Sequence, residues 1–296
     1  MSVIEDPMQS VAPYADVDLA RWLISVCTDT AERVIDDIVD GFRSTGHVPD
    51  EDLVGRLRQK AANDFRSTLV GLVAQQAKPK VALQPIQYIE AETVIGHEAL
   101  ARFANSDPRV TFAIADRQGR LAEVEILAIR AAFEHLPSIA SHEFLSVNIS
   151  AAGLGNGGFA AAIDSVPPER IVIEVNQQSP VEGTTLAGWV DQLRRRGVRV
   201  ALDGAGVGAF RGASLHDLSP SIVKIDPSIV SGCDASEDSR QQIAKLVAIG
   251  RRIGAMVVAC GVEHVAELDV VRGLGVEAAQ GFLVGRPVLV DDPLSP

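Results

Sequence analysis

With 296 residues, 47% of them hydrophobic and 22% charged, the chain is long enough to bury a large core and to form one barrel-sized domain with an appendage. Its formal net charge of −12 argues against a broad nucleic-acid or anionic-membrane footprint, and its three widely separated cysteines, Cys27, Cys233 and Cys260, argue against a disulfide framework or a zinc ribbon. The acidic N-terminus has no apolar signal core and no run approaches the roughly 20 apolar residues that span a bilayer, so a cytoplasmic protein without nucleic-acid or membrane contacts is expected.

Up to residue 79 the apolar spacing is helical. Leu19, Trp22, Leu23 and Val26, then Val34, Ile35, Ile38, Val39 and Phe42, lie on one amphipathic face. After the turn-like STGHVPDED (44–52), Leu53, Leu57, Phe65, Leu69, Leu72 and Val73 form a second face that Lys78-Pro79 ends. The expectation is a helical hairpin over 1–79. It would cover its apolar surface on the rest of the chain or on a second copy, and structural packing and signal input are both open for it.

From Val81 the rhythm changes to short apolar runs separated by helical segments. VALQPIQYI, TVIGHEALARF, FLSVNIS, RIVIEVN, VRVALDG, IVKID, MVVACG and AAQGFLVG read as strands, with LAEVEILAIRAAFEHL and RQQIAKLVAIGRRIG as helices between them. Near-continuous apolar strands alternating with helices predict a mostly parallel sheet covered on both faces, and eight of them in one domain over 80–296 favour a closed α/β barrel of the TIM type. The sequon Asn148-Ile149-Ser150 then falls in a buried strand rather than at a glycosylation site.

Polar residues interrupt those strands in a pattern. Glu98 ends one strand, Asn148 sits in SVNIS, Glu174 follows IVI, Asp203 follows VAL, Lys224 precedes Ile-Asp, and Gln280 lies in AAQ. In a parallel barrel the C-terminal strand ends meet at one mouth. Carboxylates and an amide oxygen gathered there suit a hard divalent cation such as Mg²⁺ or Mn²⁺.

These segments, with LQPI (83–86), HEALARF (97–103), ACGVE (259–263) and AAQGFLVGRP (278–287), resemble in order and spacing the EAL-domain family of cyclic di-GMP phosphodiesterases. The resemblance covers about residues 80 to 296. It implies a TIM-type (β/α)8 barrel with one antiparallel strand behind the N-terminal helical extension, a homodimer, bound cyclic di-GMP and, in active members, two-metal hydrolysis to pGpG. Residue by residue it makes Glu98, Asn148, Glu174 and Asp203 the ligands of one metal, Lys224 the lysine that holds catalytic water, and Gln84, Leu100, Arg102 and Gln280 contacts of the nucleotide, together with Glu98 and Asn148.

Three positions depart from the family pattern. Gly204 stands where active members carry a second Asp, Gln177 where they carry a Glu, and Cys260 where they carry the Glu of Ala-Glu-Gly-Val-Glu. The loop Ala205-Gly206-Val207-Gly208 lacks the family's aromatic and hydroxyl residues, and Pro227 stands where a basic residue is frequent. Two ions stabilise the attacking and leaving oxygens of an in-line displacement, so losing the second site predicts an inactive or strongly impaired enzyme that needs no cofactor and holds one Mg²⁺ or Mn²⁺ at most. Such a protein would act as a cyclic di-GMP receptor or through contacts with a protein partner. The alternative is an active Mg²⁺- or Mn²⁺-dependent phosphodiesterase.

Three other patterns are weaker. Gly204-x-Gly206-x-x-Ala209 with Asp226 beyond it fits a loose dinucleotide fingerprint, but Asp203 at the strand end and the mid-barrel position argue against it. Cys260 reads better as a small buried residue than as a Zn²⁺ ligand. His97, His264, Ser150 and Ser214 have no partner pattern that would make them catalytic, and DASEDS (234–239) reads as a solvated, capped helix entry.

Overall fold

In the computed structural model, residues 52, 54–56, 59, 79–103, 108–117, 119–176, 183–207 and 218–290 are described. The predicted N-terminal hairpin therefore lies outside the described residues except for 52, 54–56 and 59, which are helical, and 79, which is not. The chain falls into two compact units, Met1–Lys80 with Arg102–Leu121, and Val81–Ala101 with Ala122–Pro296. In the first, a helix α1 (Pro108–Arg117) carries Phe112, whose ring meets Phe103 edge-on at 5.5 Å between centroids.

The second unit is the barrel. Its strands are β1 (Lys80–Tyr88), β2 (Val94–Arg102), β3 (Phe144–Ile149), β4 (Ile171–Asn176), β5 (Arg199–Ala205), β6 (Ile222–Ile225), β7 (Met256–Cys260) and β8 (Ala278–Gln280). Strands β2 to β8 pair in parallel in chain order, β1 runs against β8, and β1 also pairs with β2, which closes the ring. All eight predicted strands are present, and the one reversed strand is β1. The helices of this unit are α2 (Leu121–Glu134), α3 (Ala151–Leu154), α4 (Gly157–Ile163), α5 (Gly183–Arg195), α6 (Pro227–Val230), α7 (Glu237–Ile253) and α8 (Val265–Gly273).

Three local expectations need correction. Glu98 does not end its strand, because β2 continues to Arg102. Asn148 is exposed although it sits in β3 among buried neighbours, and its side chain turns to Glu98 on the neighbouring strand. The last predicted strand stops at Gln280 rather than running through Gly285. A Cβ at Gly281 would overlap the Val262 backbone, and the chain turns there, with Leu283 N donating to the Val262 carbonyl. A ninth strand, β9 (Val288–Leu289), then pairs antiparallel with β1 at Ala82 and Leu83.

The packing explains why the strands read as unbroken apolar runs. One side of each strand meets the helices, as Ile173, Val200 and Leu202 meet the α5 residues Val190 and Leu193 in one cluster. The other side fills the barrel interior, where Ile86, Phe144, Val172, Ala201, Ile222, Val258 and Ala278 form a separate cluster. Each fully buried Ile or Val contributes about 1.5–3 kcal/mol relative to an exposed one. The acidic run at 234–239 is a helix entry as expected: the Ser236 side chain accepts from Ser239 N, and Glu237 and Asp238 occupy the first turn of α7, where the helix dipole favours them.

Candidate functional site

The mouth of the barrel is built in two tiers that follow from strand parity. The even strands β2, β4, β6 and β8 supply Glu98, Glu174, Lys224 and Gln280. These four are joined directly. Lys224 Nζ donates to Glu98 Oε2 at 2.8 Å and to Glu174 Oε2 at 2.6 Å, and Gln280 Nε2 donates to Glu98 Oε2 at 2.7 Å. A barrel places side chains from alternate strands in one layer, and here that layer is polar instead of apolar.

The odd strands supply Gln84, Asn148, Asp203 and Cys260 around it. Asn148 Nδ2 donates to Glu98 Oε1 at 2.7 Å, which completes the coordination of that carboxylate by three side chains. Gln280 Nε2 also donates to Gln84 Oε1 at 3.1 Å, and Gln84 Nε2 donates to the Gly285 carbonyl at 3.2 Å, so the closing strands carry a chain of amides. The Cys260 thiol lies 3.9 Å from Gln280 Oε1. Asp203 sits where the β5 and β6 registers shift between Leu202 and Ala205.

Burial sets the charge states. Lys224 is 3% exposed, and although burial alone would lower its pKa, the charges of Glu174 and Glu98 hold it well above the ordinary lysine value. Burial alone would raise Glu98, but the Lys224 charge and the hydrogen bonds from Lys224, Gln280 and Asn148 outweigh it and keep the carboxyl below its usual range. Glu174 is pushed up to about 7, first by burial and then by the Glu98 charge, with Lys224 opposing. Burial also raises Asp203, and it raises the Cys260 thiol well above its ordinary value, so that Cys260 stays a neutral thiol.

Most of these groups open onto a cavity of about 430 Å³, but Asn148 and Glu174 do not line it. Its lining includes the predicted Gln84, Glu98, Asp203, Gly204, Lys224, Cys260 and Gln280, together with Val207, Asp226, Pro227, Gly261, Glu263, Gly281 and Phe282. Asp226 and Phe282 were not singled out as site residues from sequence. Phe282 is 46% exposed, with the Arg286 guanidinium 4.2 Å from its ring centroid, and an exposed aromatic after the last barrel strand is the signal that marks it. Leu100, two residues beyond Glu98 on β2, is half-buried and does not line the cavity. Arg102 is half-buried at the end of β2 and falls in the first compact unit. Gln177 lies outside the described residues, as do 208–217 of the glycine-containing loop.

Residues 67–287 match the family model described as EAL domain. The chain belongs to the EAL domain family. It is 27% identical over 158 residues to the bifunctional diguanylate cyclase/cyclic di-GMP phosphodiesterase MucR of Pseudomonas aeruginosa, a match covering 51% of this chain and 23% of that protein. It is 23% identical over 237 residues to the probable cyclic di-GMP phosphodiesterase PdeD of Escherichia coli, covering 75% of this chain and 44% of PdeD. The chain thus spans less than half the length of either relative. Its fold is similar to that of Klebsiella pneumoniae BlrP1 in a manganese/cy-diGMP complex, with a TM-score of 0.64 and 26% identity over 72% of this chain and 57% of that one.

The four residues that the resemblance makes the ligands of one metal, Glu98, Asn148, Glu174 and Asp203, all carry side-chain oxygens. As they stand, no three His, Cys, Asp or Glu side chains among the described residues are grouped to hold an ion, because Lys224 lies between Glu98 and Glu174. One observation fits a cation nonetheless: Glu174 Oε1 is buried without a hydrogen-bond partner among the described residues, an oxygen that an ion would satisfy. The second-metal side does not fit. Gly204 has no side chain, with φ at +70°, and Cys260 is a neutral thiol. Among the described residues no helix is long and apolar enough to cross a membrane.

Proposed function

We propose that the chain is a cyclic di-GMP-responsive regulator that binds the nucleotide at the barrel mouth, with hydrolysis lost or strongly impaired. The observation that carries this reading is the pairing of an intact even-strand network with Gly204 and Cys260 on the same cavity wall. Glu98, Asn148, Glu174 and Asp203 would hold one Mg²⁺ or Mn²⁺, which when bound supplies positive charge beside a phosphate. Among the described residues lining the cavity, Lys224 is the one cation against the carboxylates of Glu98, Asp203, Asp226 and Glu263. A dianionic ligand is therefore repelled unless a divalent ion enters with it.

Lys224 holds Glu98 and Glu174 in place, and the Gln84 and Gln280 amides present donors and acceptors at the closing strands. No carboxylate at 204 or 260 remains to draw a proton from an attacking water. An active phosphodiesterase is the second reading, favoured by the intact Lys224 network, and a protein scaffold that has lost the nucleotide is the third.

Calorimetric titration of cyclic di-GMP into the full chain, with Ca²⁺ and again with EDTA, tests binding, and chromatography of long incubations with Mg²⁺ or Mn²⁺ tests turnover. The expected result is metal-dependent binding at micromolar affinity or tighter without multiple turnovers per hour. Repeated turnover to pGpG would make the chain an enzyme, and no heat at high nucleotide would make the barrel a surface for another protein. Light scattering on the same samples reads the homodimer that the resemblance implies.

A further inference from the structure

Two stretches of chain form the β6 and β7 side of the cavity: Asp226 and Pro227 after β6, and Cys260, Gly261 and Glu263 at the end of β7. They are packed against each other. Gly261 has φ +75°, and a Cβ there would stand 2.7 Å from Pro227 Cβ, so only glycine permits this approach. Behind both stretches lies Glu267, the third residue of α8, which is 2% exposed and does not line the cavity.

Both of its oxygens accept backbone hydrogen bonds. Oε2 accepts from Glu263 N at 2.9 Å and His264 N at 3.1 Å, and Oε1 accepts from Gly232 N at 2.9 Å. The bond to His264 N is ordinary for a glutamate at this position of a helix, where it satisfies the N-cap amide. The bond to Gly232 is not, since it crosses 35 residues to the turn that follows α6. Cys233, next in that turn and fully buried, places its Sγ 3.9 Å from the Glu267 carbonyl. One carboxylate therefore joins the segment carrying Asp226 and Pro227 to the segment carrying Gly261 and Glu263.

We propose that Glu267 is a positioning residue: it fixes both segments of this cavity wall in register, so that nucleotide affinity at the mouth depends on a carboxylate the nucleotide does not meet. The inference rests on the nucleotide-binding reading above. Three charge-assisted bonds from backbone amides end on one buried side chain, and removing it leaves those amides, carried by exposed residues, to water instead of to an acceptor that ties the two segments together. A glutamine retains one acceptor oxygen, and the orientation that keeps two of the three bonds places that oxygen on Glu263 N and His264 N.

The test compares the full wild-type chain with Glu267→Ala and Glu267→Gln by amide hydrogen exchange and by calorimetry with cyclic di-GMP in Ca²⁺. Glu267→Ala is expected to speed exchange at Gly232, Glu263 and His264 and to weaken binding about tenfold. Glu267→Gln is expected to recover protection at Glu263 and His264 but not at Gly232, with an intermediate affinity. Wild-type affinity in Glu267→Ala, whatever its melting temperature, would overturn the proposal by reducing Glu267 to a structural cap. If the wild-type chain gives no heat, the nucleotide reading fails and the affinity claim with it, while the exchange pattern still decides whether the three-way clamp exists; unchanged protection in Glu267→Ala would overturn that as well.

Discussion

The even and odd strands of the barrel present two different mouths. On the even strands, Glu98, Glu174, Lys224 and Gln280 form a continuous network with distances of 2.6–2.8 Å. On β5 and β7, Asp203 is followed by Gly204, and β7 ends in Cys260, whose Sγ stands 3.9 Å from Gln280 Oε1. The first set is held by compensation: a buried ammonium between two carboxylates costs little only while all three remain. The second set has no such mutual dependence, since glycine at 204 and a neutral thiol at 260 leave no unpaired charge.

The largest test breaks the compensated side. Lys224→Met strands Glu98 and Glu174 in the interior, and the expected cost is about 3–5 kcal/mol, read as a fall of roughly 10 °C in thermal unfolding. Added Mn²⁺ should restore part of it, since an ion can take the place of the ammonium. An unchanged melting temperature would mean the network does not hold the mouth.

The next test adds carboxylates to the β5 and β7 side. A side chain at 204 has space, its Cβ falling 3.6 Å from Asp226 Oδ2, but the φ of +70° strains any residue other than glycine there, so Gly204→Asp combined with Gln177→Glu and Cys260→Glu is expected to raise pGpG formation in Mn²⁺ by roughly 10²-fold, followed by chromatography, at some cost in melting temperature. Failure with the fold intact would place the defect elsewhere, for example in the loop after β5.

Two smaller effects sharpen the contrast. Asp203→Asn removes one charge from the remaining ligand set and should weaken Mn²⁺ binding roughly tenfold by calorimetry. Glu174, raised to about 7 from an ordinary 4.5, should make that binding weaken several-fold between pH 8 and pH 6, because a proton competes with the ion. The sign for the metal-free chain is opposite: with its folded pKa above the ordinary one, Glu174 contributes stability present in full below pH 4.5 and lost as pH rises through about 7. Glu174→Gln should flatten both dependences.

The order of eight apolar strands and intervening helices was legible in the sequence because buried parallel strands are unbroken hydrophobic runs, and the polar interruptions Glu98, Asn148, Glu174, Asp203, Lys224 and Gln280 stand out against them. Local pattern also marked the capped entry of α7. The end of β8 was not legible, since Gly281-Phe282-Leu283-Val284 is as apolar as a strand and turns only because the Val262 backbone occupies the space beside Gly281. Nor could sequence separate the six polar residues into a bonded layer and its surroundings. That division follows from barrel closure, which brings β2 and β6 face to face although Glu98 and Lys224 are 126 residues apart. Asp226, Phe282 and Glu267 became site or supporting residues for the same reason. Sequence fixes which groups a strand carries, whereas the pairing of distant strands decides which of those groups meet and which charges compensate.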